Sequence, residues 1–270
     1  MDAASAQSLA PHFSSAFRGS FVRNLWIGHA SYSGLGAARL AQAGLATVDG
    51  AAPDVFGEIL GTFDVDEIDR ELGGRAEIMR GYFKLHAACA YTHHSVDAVQ
   101  KLLREGPLDP ADVREVIIET YAIATTLDSY VWPTRLAAMF SIPYVVAETM
   151  RSGEFGPRAT DAERRADPVT VELAQKVSLR ASEKFESRLP ARRGACISVT
   201  TSVGTRSAEV ENPVGDADTG PFGWHEVRAK VAGLIGVTAA SQLEVLVRSL
   251  PDVPSVASVL DELAWLEVER

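Results

Sequence analysis

The sequence has little cysteine and no long apolar run, and each shortage excludes a class of protein. Only two cysteines, Cys89 and Cys196, occur in 270 residues. Two are too few for the disulfide framework of a small secreted protein, and they suit a reducing compartment. No apolar run reaches the roughly 18 residues that a membrane helix needs. The first residues, MDAASAQSLAPHF, lack the apolar segment of a secretory signal. We therefore expect a cytoplasmic protein.

Basic residues are also in deficit. The chain has 26 Lys and Arg against 36 Asp and Glu, which gives a formal net charge of −10. This balance disfavours nucleic acids and anionic membrane surfaces as partners. A hydrophobic content of 46% in a chain of this length is enough for a sizeable core. An anionic ligand would therefore need a local positive pocket.

One segment differs from the acidic remainder. Residues 81–97, GYFKLHAACAYTHHSVD, contain one lysine, three histidines and one cysteine. Lys84 lies between two apolar residues, where partial burial can tune an amine. His93 and His94 directly precede Ser95, a residue typical of helix starts. The segment predicts a site for an anionic substrate and proton transfer.

The pattern of elements predicts an α+β protein in which a mostly helical domain is interrupted by a smaller α+β lid. Residues 1–79 form the first part of the helical domain, 80–221 the lid and 222–270 the second part of the helical domain. The predicted elements are helices over 37–45, 66–71, 96–104, 140–151, 168–177, 227–235 and 253–268, a strand over 113–126, a loop over 128–133, and a β-hairpin of strands 195–201 and 205–211.

Several motifs in the correct order resemble the MmgE/PrpD family, which includes 2-methylcitrate dehydratase, cis-aconitate decarboxylase and iminodisuccinate epimerase. The motifs are GSFVR at 19–23, GHA at 28–30, the central string at 83–97, FSIPYVVA at 140–147, DP at 167–168 with LA and KV after it, and PVGD at 213–216. Six motifs across nearly the whole chain make the resemblance specific.

The resemblance implies an active site between a helical domain and its lid, a homodimer, and no metal or organic cofactor. It implies a lyase that removes a proton next to a carboxylate of a small di- or tricarboxylate, followed by loss of water or carbon dioxide. The chain resembles the second half of a typical member, so a partner chain is expected to supply the other helical half. Two alternatives stay open: a non-catalytic or partner-dependent subunit, and an epimerase or isomerase that uses the same proton abstraction.

The resemblance also implies roles for individual residues. Lys84 and Arg23 would hold carboxylates and stabilise enolate charge. His93 would assist proton transfer or orient Lys84. Apart from the resemblance, Tyr130 and Arg135 lie on the predicted loop before FSIPY, from which they could reach a substrate carboxylate. Arg23 stands where the family commonly has lysine, and Trp26 where it has histidine. Arginine keeps the charge but cannot shuttle a proton.

Each assignment has a structural alternative. Lys84 could be a surface lysine, and His93 could cap a helix start through a backbone hydrogen bond. Tyr130 and Arg135 could lie on an exposed loop. His86 and His94 are interpreted as structural or solvent-facing. For Cys89, core packing is favoured over a nucleophilic role, and zinc is disfavoured because only two ligands would be present.

An incomplete helical domain makes one further prediction. The helices over 37–45 and 227–235 should expose apolar side chains unless a partner covers them.

Overall fold

The computed structural model describes residues 2–7, 13–46, 48–70, 72–74 and 76–264. Its helices and its small mixed sheet confirm the predicted α+β class. The α-helices of the described chain are α1 Asp2–Ser5, α2 Val22–Gln42, α3 Val65–Asp69, α4 His93–Glu105, α5 Ala122–Thr125, α6 Arg135–Met139, α7 Ile142–Ser152, α8 Ala162–Arg165, α9 Pro168–Gln175, α10 Glu183–Glu186, α11 Trp224–Ile235, α12 Val237–Ser249 and α13 Val256–Leu263. A π-helix covers Pro53–Ile59.

A four-stranded sheet forms the centre of the middle segment. Its strands are β1 Glu115–Thr120, β2 Val177–Ala181, β3 Ala195–Thr201 and β4 Gly204–Val210, in the order β2-β1-β3-β4. β1 pairs with β2 in parallel, while β1 with β3 and β3 with β4 are antiparallel. Alternate residues of β1 and β3 are buried, and α4 packs against β3, β4 and α7. One face of the sheet is therefore covered by helices.

The contiguous hydrophobic core lies almost wholly within this middle segment. Apart from Ala16, its buried members come from residues 88–208. α2 buries only Ala37 among its described side chains, and α11 buries none. The α+β segment therefore contains most of the core, whereas the helices before and after it are largely surface. The domain boundaries at 79/80 and 221/222 stay predictions.

Side-chain caps mark the starts of α7 and α9. Ser141 accepts a hydrogen bond from the Tyr144 N–H at 3.1 Å and caps α7, which ends at Gly153 with φ of +83°. Asp167 accepts from the Thr170 N–H at 3.0 Å and caps α9, with proline at its first position. The start of α9 agrees with the prediction, because a cap and its partner are only three residues apart. The helix predicted to begin at Phe140 begins instead at Ile142, because Phe140 is the C-cap of α6.

Two predictions that concern the strands were wrong, one on where β1 ends and one on where β2 begins. The strand predicted over 113–126 ends at Thr120, and the chain turns into α5, where the Glu186 carboxylate accepts the Ala122 N–H at 2.6 Å. The helix predicted to reach Val177 stops earlier, and Val177 begins β2 beside Val116. Both errors involve partners about 60 residues away, so local pattern could not reveal them.

The remaining differences concern helix bounds. The helix predicted over 253–268 is observed as α13, and residues 265–270 lie outside the described residues. Arg135 begins α6 and does not belong to the preceding loop.

Exposed apolar side chains are frequent on α2 and the helices near it, as predicted. Leu25, Ile27 and Leu35 of α2 are 68%, 76% and 54% exposed. Leu45 just after it is 75% exposed, and Leu234 of α11 is 49% exposed. In the described part of the chain, no helix is both long enough and apolar enough to cross a membrane.

Candidate active site

A cavity of about 600 Å³ opens between the segment that begins at Lys84, the start of α2, the end of α6 and the inner side of α11. Its lining residues are Arg23, Asn24, Lys84, Leu85, His86, Ala87, Ala88, Cys89, Leu136, Met139, Phe140, Pro157, Ala229, Lys230, Gly233 and Leu234. Three of them are cationic, and none of these described residues is Asp or Glu. In a chain with net charge −10, this is a local positive pocket.

Lys84 lies at the open rim of the cavity. The residue is exposed as a whole, but its Nζ donates a hydrogen bond to the Ala88 carbonyl at 3.2 Å. The partial burial of the ammonium lowers the pKa of Lys84 below its usual value, and the Arg23 charge lowers it further, while Cys89 opposes the shift. Because the side chain still contacts solvent, the shift is screened. The lysine side chain thus lines the cavity while it remains partly in contact with solvent.

Arg23 reaches the same cavity from the first turn of α2. Its guanidinium carbon lies 5.6 Å from the centroid of the Phe140 ring, a cation–π distance. Its Nε is buried and has no hydrogen-bond partner among the described residues. The planar, permanently charged guanidinium therefore packs against the Phe140 ring and has an N–H group without a partner among the described residues. A guanidinium of this kind is suited to bind a carboxylate.

Lys230 supplies a third cation that sequence reasoning missed. Its ammonium on α11 donates to the backbone carbonyls of Lys84 and Leu85, the second at 3.2 Å. Burial lowers the pKa of Lys230, and the charge of Lys84 adds to this effect. No local signal could have identified this residue, because 146 residues separate it from Lys84. It links α11 to the cavity wall.

His93 is fully buried behind the cavity and does not line it. Its Nε2 lies 3.3 Å from the Ala88 carbonyl, the same oxygen that accepts from Lys84. Burial, together with the neighbouring His86, lowers the pKa of His93 to about 3, so the ring is neutral near pH 7. The geometry fits an orienting role through a shared carbonyl better than direct proton transfer to a substrate.

His86 was interpreted from the sequence as structural or solvent-facing. In the structure it is buried, at 4% exposed, and lies in the cavity wall. Its Nε2 lies 2.8 Å from Asp97 Oδ1, and Asp97 is itself buried in α4. The pair is separated by 11 residues and crosses a helix start, so no spacing rule indicated it.

Tyr130 and Arg135 do not join Lys84. The Tyr130 hydroxyl donates to the Val177 carbonyl at 2.6 Å. Arg135 donates to the Pro157 carbonyl at 2.8 Å and lies 3.3 Å from an Asp161 carboxylate oxygen. Neither side chain lines the cavity. Both are engaged with the protein itself, so their substrate-binding role has no geometric support.

Cys89 lines the cavity and also packs against the core. Burial raises the pKa of its thiol, which leaves it a poor nucleophile near neutral pH. His94 is fully buried, in agreement with a structural role. Within the described residues, no group of three or more His, Cys, Asp or Glu is arranged to hold a metal ion.

The sequence matches a known protein family. The family model of the MmgE/PrpD C-terminal domain matches residues 86–251, more than half of the chain. The match includes His86, His93, Asp97 and Lys230, whereas Arg23 and Lys84 precede it. No curated protein matches the chain.

Proposed function

The chain belongs to the MmgE/PrpD family through its C-terminal domain, and from this premise we propose that it is a lyase for a small di- or tricarboxylate. The reaction removes a proton next to a carboxylate and then expels water or carbon dioxide. The substrate would bind in the cavity that Arg23, Lys84 and Lys230 surround. No nucleic acid or membrane takes part, and the active form would be a homodimer or a hetero-oligomer.

The observation that carries this proposal is the convergence of three cations on a cavity whose described lining includes no carboxylate. Each cation is fixed differently: Lys84 by the Ala88 carbonyl, Arg23 by the Phe140 ring and Lys230 by two carbonyls. Fixed cations stabilise the negative charge that develops when a proton leaves the carbon next to a carboxylate. They would also orient a polyanionic substrate.

Binding of tricarballylate, an unreactive tricarboxylate, tests the cavity. We expect Lys84→Met and Arg23→Met each to weaken binding about 10- to 100-fold, because each removes a charge-assisted hydrogen bond worth about 1.5–3 kcal/mol. Isothermal titration calorimetry measures the change. Lys101→Met is the matched control, since Lys101 is an exposed lysine of α4 whose ammonium donates to the Glu209 carbonyl.

The chemistry is tested by incubating the protein with citrate, 2-methylcitrate and cis-aconitate in D2O and following products by NMR. Formation of an unsaturated or decarboxylated acid supports a lyase. Deuterium incorporation with return of the starting acid or its epimer supports an epimerase or isomerase. Equal binding by the cavity variants and the wild type, or no reaction with any of the three acids, contradicts the lyase proposal.

The pH dependence of binding follows from the lowered pKa of Lys84. As pH rises through this lowered pKa, the ammonium loses its proton and its attraction for a carboxylate. We expect tricarballylate affinity to fall at a lower pH than the ordinary lysine value of 10.5 would predict. Lys84→Arg should lessen this decline, because arginine stays charged. The part due to Lys230, whose pKa is also lowered, should remain. Isothermal titration calorimetry across the alkaline pH range measures the affinity of both proteins. The same dependence of affinity on pH in the wild type and in Lys84→Arg would contradict this expectation.

A second candidate is a non-catalytic or partner-dependent subunit, and the exposed apolar residues of α2 favour it. A 21-residue helix with one buried residue contributes little to the fold alone. We propose that further helical surface, from this or another chain, covers α2 beside the cavity. Activity that appears only when a second polypeptide is added would support this candidate.

A further inference from the structure

The proposed reaction needs a group that accepts a carbon-bound proton, and the three cations of the cavity are poorly suited to it. Arg23 stays protonated, and the Lys230 ammonium is occupied by two backbone carbonyls. The Lys84 ammonium donates to the Ala88 carbonyl and serves as a cation for the substrate carboxylate. The Cys89 pKa is raised, and His93 lies behind the cavity wall. The remaining nitrogen base on the wall is His86.

His86 has an acceptor nitrogen available because Asp97 occupies the other. Asp97 Oδ1 lies 2.8 Å from His86 Nε2, and an ionised carboxylate can only accept. Nε2 therefore carries the proton. Nδ1 is left with its lone pair, and it has no hydrogen-bond partner among the residues that the structure describes.

Asp97 is held rigidly enough to fix this tautomer. It lies in the first turns of α4 and is 5% exposed. Its second oxygen, Oδ2, accepts the Val214 N–H at 2.9 Å. The carboxylate thus bridges α4 and the loop after β4, and it cannot turn away from His86 without losing a buried hydrogen bond. A carboxylate that orients an imidazole and balances its positive charge is a recurrent arrangement for a histidine base.

We propose that His86 is the general base of this site and that Asp97 positions it. The inference rests on the proposed lyase function. The His86 Nδ1 lone pair takes the proton from the carbon next to a substrate carboxylate. The electron pair of the broken C–H bond moves into that carboxylate as an enediolate, which Lys84 and Arg23 stabilise. The enediolate then collapses: its electron pair forms a C=C bond, the C–O bond on the neighbouring carbon breaks, and the Nδ1 proton joins the departing hydroxide to give water. The imidazole keeps its Nε2 hydrogen bond to Asp97 throughout.

His86→Gln tests the catalytic role with citrate, 2-methylcitrate and cis-aconitate in D2O. We expect reaction and deuterium exchange to fall about 10²- to 10⁴-fold, the range for loss of a general base. Tricarballylate affinity should stay within about threefold, because the base contributes to the reaction more than to binding. His225→Gln, at an exposed position, is the matched control.

The outcomes separate the two proposals. If the wild type turns over a substrate and His86→Gln is equally active, the role of His86 is overturned and the lyase function is left intact. Failure of the wild type to bind tricarballylate, or binding without any reaction or exchange, overturns both. Loss of tricarballylate binding in His86→Gln, with the fold retained by circular dichroism, would make His86 a binding residue and would also overturn its role as the base.

The positioning role of Asp97 has its own readout. NMR of ¹⁵N-histidine-labelled protein reports the tautomer of His86. We expect the nitrogen chemical shifts of the Nε2-protonated form, and we expect the Nδ1 chemical shift to change when tricarballylate is added. Asp97→Asn should redistribute the tautomers and lower the reaction rate, and Asp97→Glu should restore part of both. An Nδ1-protonated His86 in the wild type, or an Nδ1 signal that saturating tricarballylate does not move, overturns the inference.

Discussion

Glu148→Gln is expected to destabilise the fold by about 3 kcal/mol, because it removes the charge at the centre of a buried ion-pair network. Glu148 lies in α7 and is fully buried. Its carboxylate accepts from Arg151 at 2.9 Å, from Arg164 at 2.8 Å and from the Thr170 hydroxyl at 3.0 Å. One side chain thus joins α7 to α8 and α9.

The asymmetry of a buried ion pair explains the size of this effect. Removing one partner leaves the other charged group desolvated and unpaired. Arg151 is 23% exposed, so water replaces the lost carboxylate only in part. Arg164, at 41% exposed, can turn toward solvent and recover more. We therefore place the cost at the lower end of the range for buried pairs.

Urea unfolding followed by circular dichroism measures this cost, with the midpoint and slope compared between variants. Glu172→Gln on the neighbouring helix is the control. Glu172 is 71% exposed and pairs with Lys176 at 2.7 Å. A surface pair of this kind is worth at most about 1 kcal/mol. Equal destabilisation by the two substitutions would show that the Glu148 network is not a principal stabilising element.

The wild-type protein is expected to lose about 2 kcal/mol more stability than His94→Gln between pH 7 and pH 5. Burial lowers the pKa of His94 from 6.5 to about 3, and the neighbouring His93 adds to the shift. Below pH 6.5 the unfolded chain takes up a proton that the folded His94 does not hold. Stability therefore falls with pH by about 1.4 kcal/mol per unit until the folded pKa is reached.

The surroundings of His94 explain why it stays neutral. The ring is fully buried, with the Tyr121 ring 5.5 Å away and the Ser95 hydroxyl 3.0 Å from Nδ1. Its Nε2 lies 3.4 Å from the Thr120 hydroxyl. Two neutral hydroxyls satisfy a neutral imidazole, but they give little compensation for a buried positive charge.

Urea unfolding at pH 7 and pH 5 tests this expectation. The relevant quantity is the difference between the two pH values, because the substitution also removes ring packing and lowers stability at both. His225→Gln, at an exposed position, controls for the chemical change. A wild type and a His94→Gln variant that lose the same free energy on acidification would contradict a neutral buried histidine.

The neutrality of the buried histidines bears on the site. A neutral His93 beside His94 adds no positive charge behind a cavity that already holds three cations. We expect a substrate carboxylate to be drawn to the three cations Arg23, Lys84 and Lys230, which line the cavity together with His86.

The start of α9 was predicted correctly because Asp167 accepts from a backbone N–H three residues onward. The helix predicted over 140–151 begins instead at Ile142. β2 was missed because five residues cannot indicate by themselves that they pair with β1, which lies about 60 residues earlier. The same limit applies to the site. The sequence indicated Lys84, and it favoured His93 over His86 because His93 belongs to the string that resembles the family's central motif. The pairing of His86 with Asp97 gave no such signal, since it depends on the fold.

The amino-acid sequence by itself determined the family, the α+β class and the segment that carries the reactive groups. These depend on short-range order: caps, periodicity and motifs whose members are neighbours along the chain. Tertiary packing alone decided which of those groups line the cavity. It carries Arg23 and Lys230 to Lys84, and it turns His86 toward the cavity while His93 is buried. Burial and pairing arise from contacts between distant segments, and no local pattern encodes them.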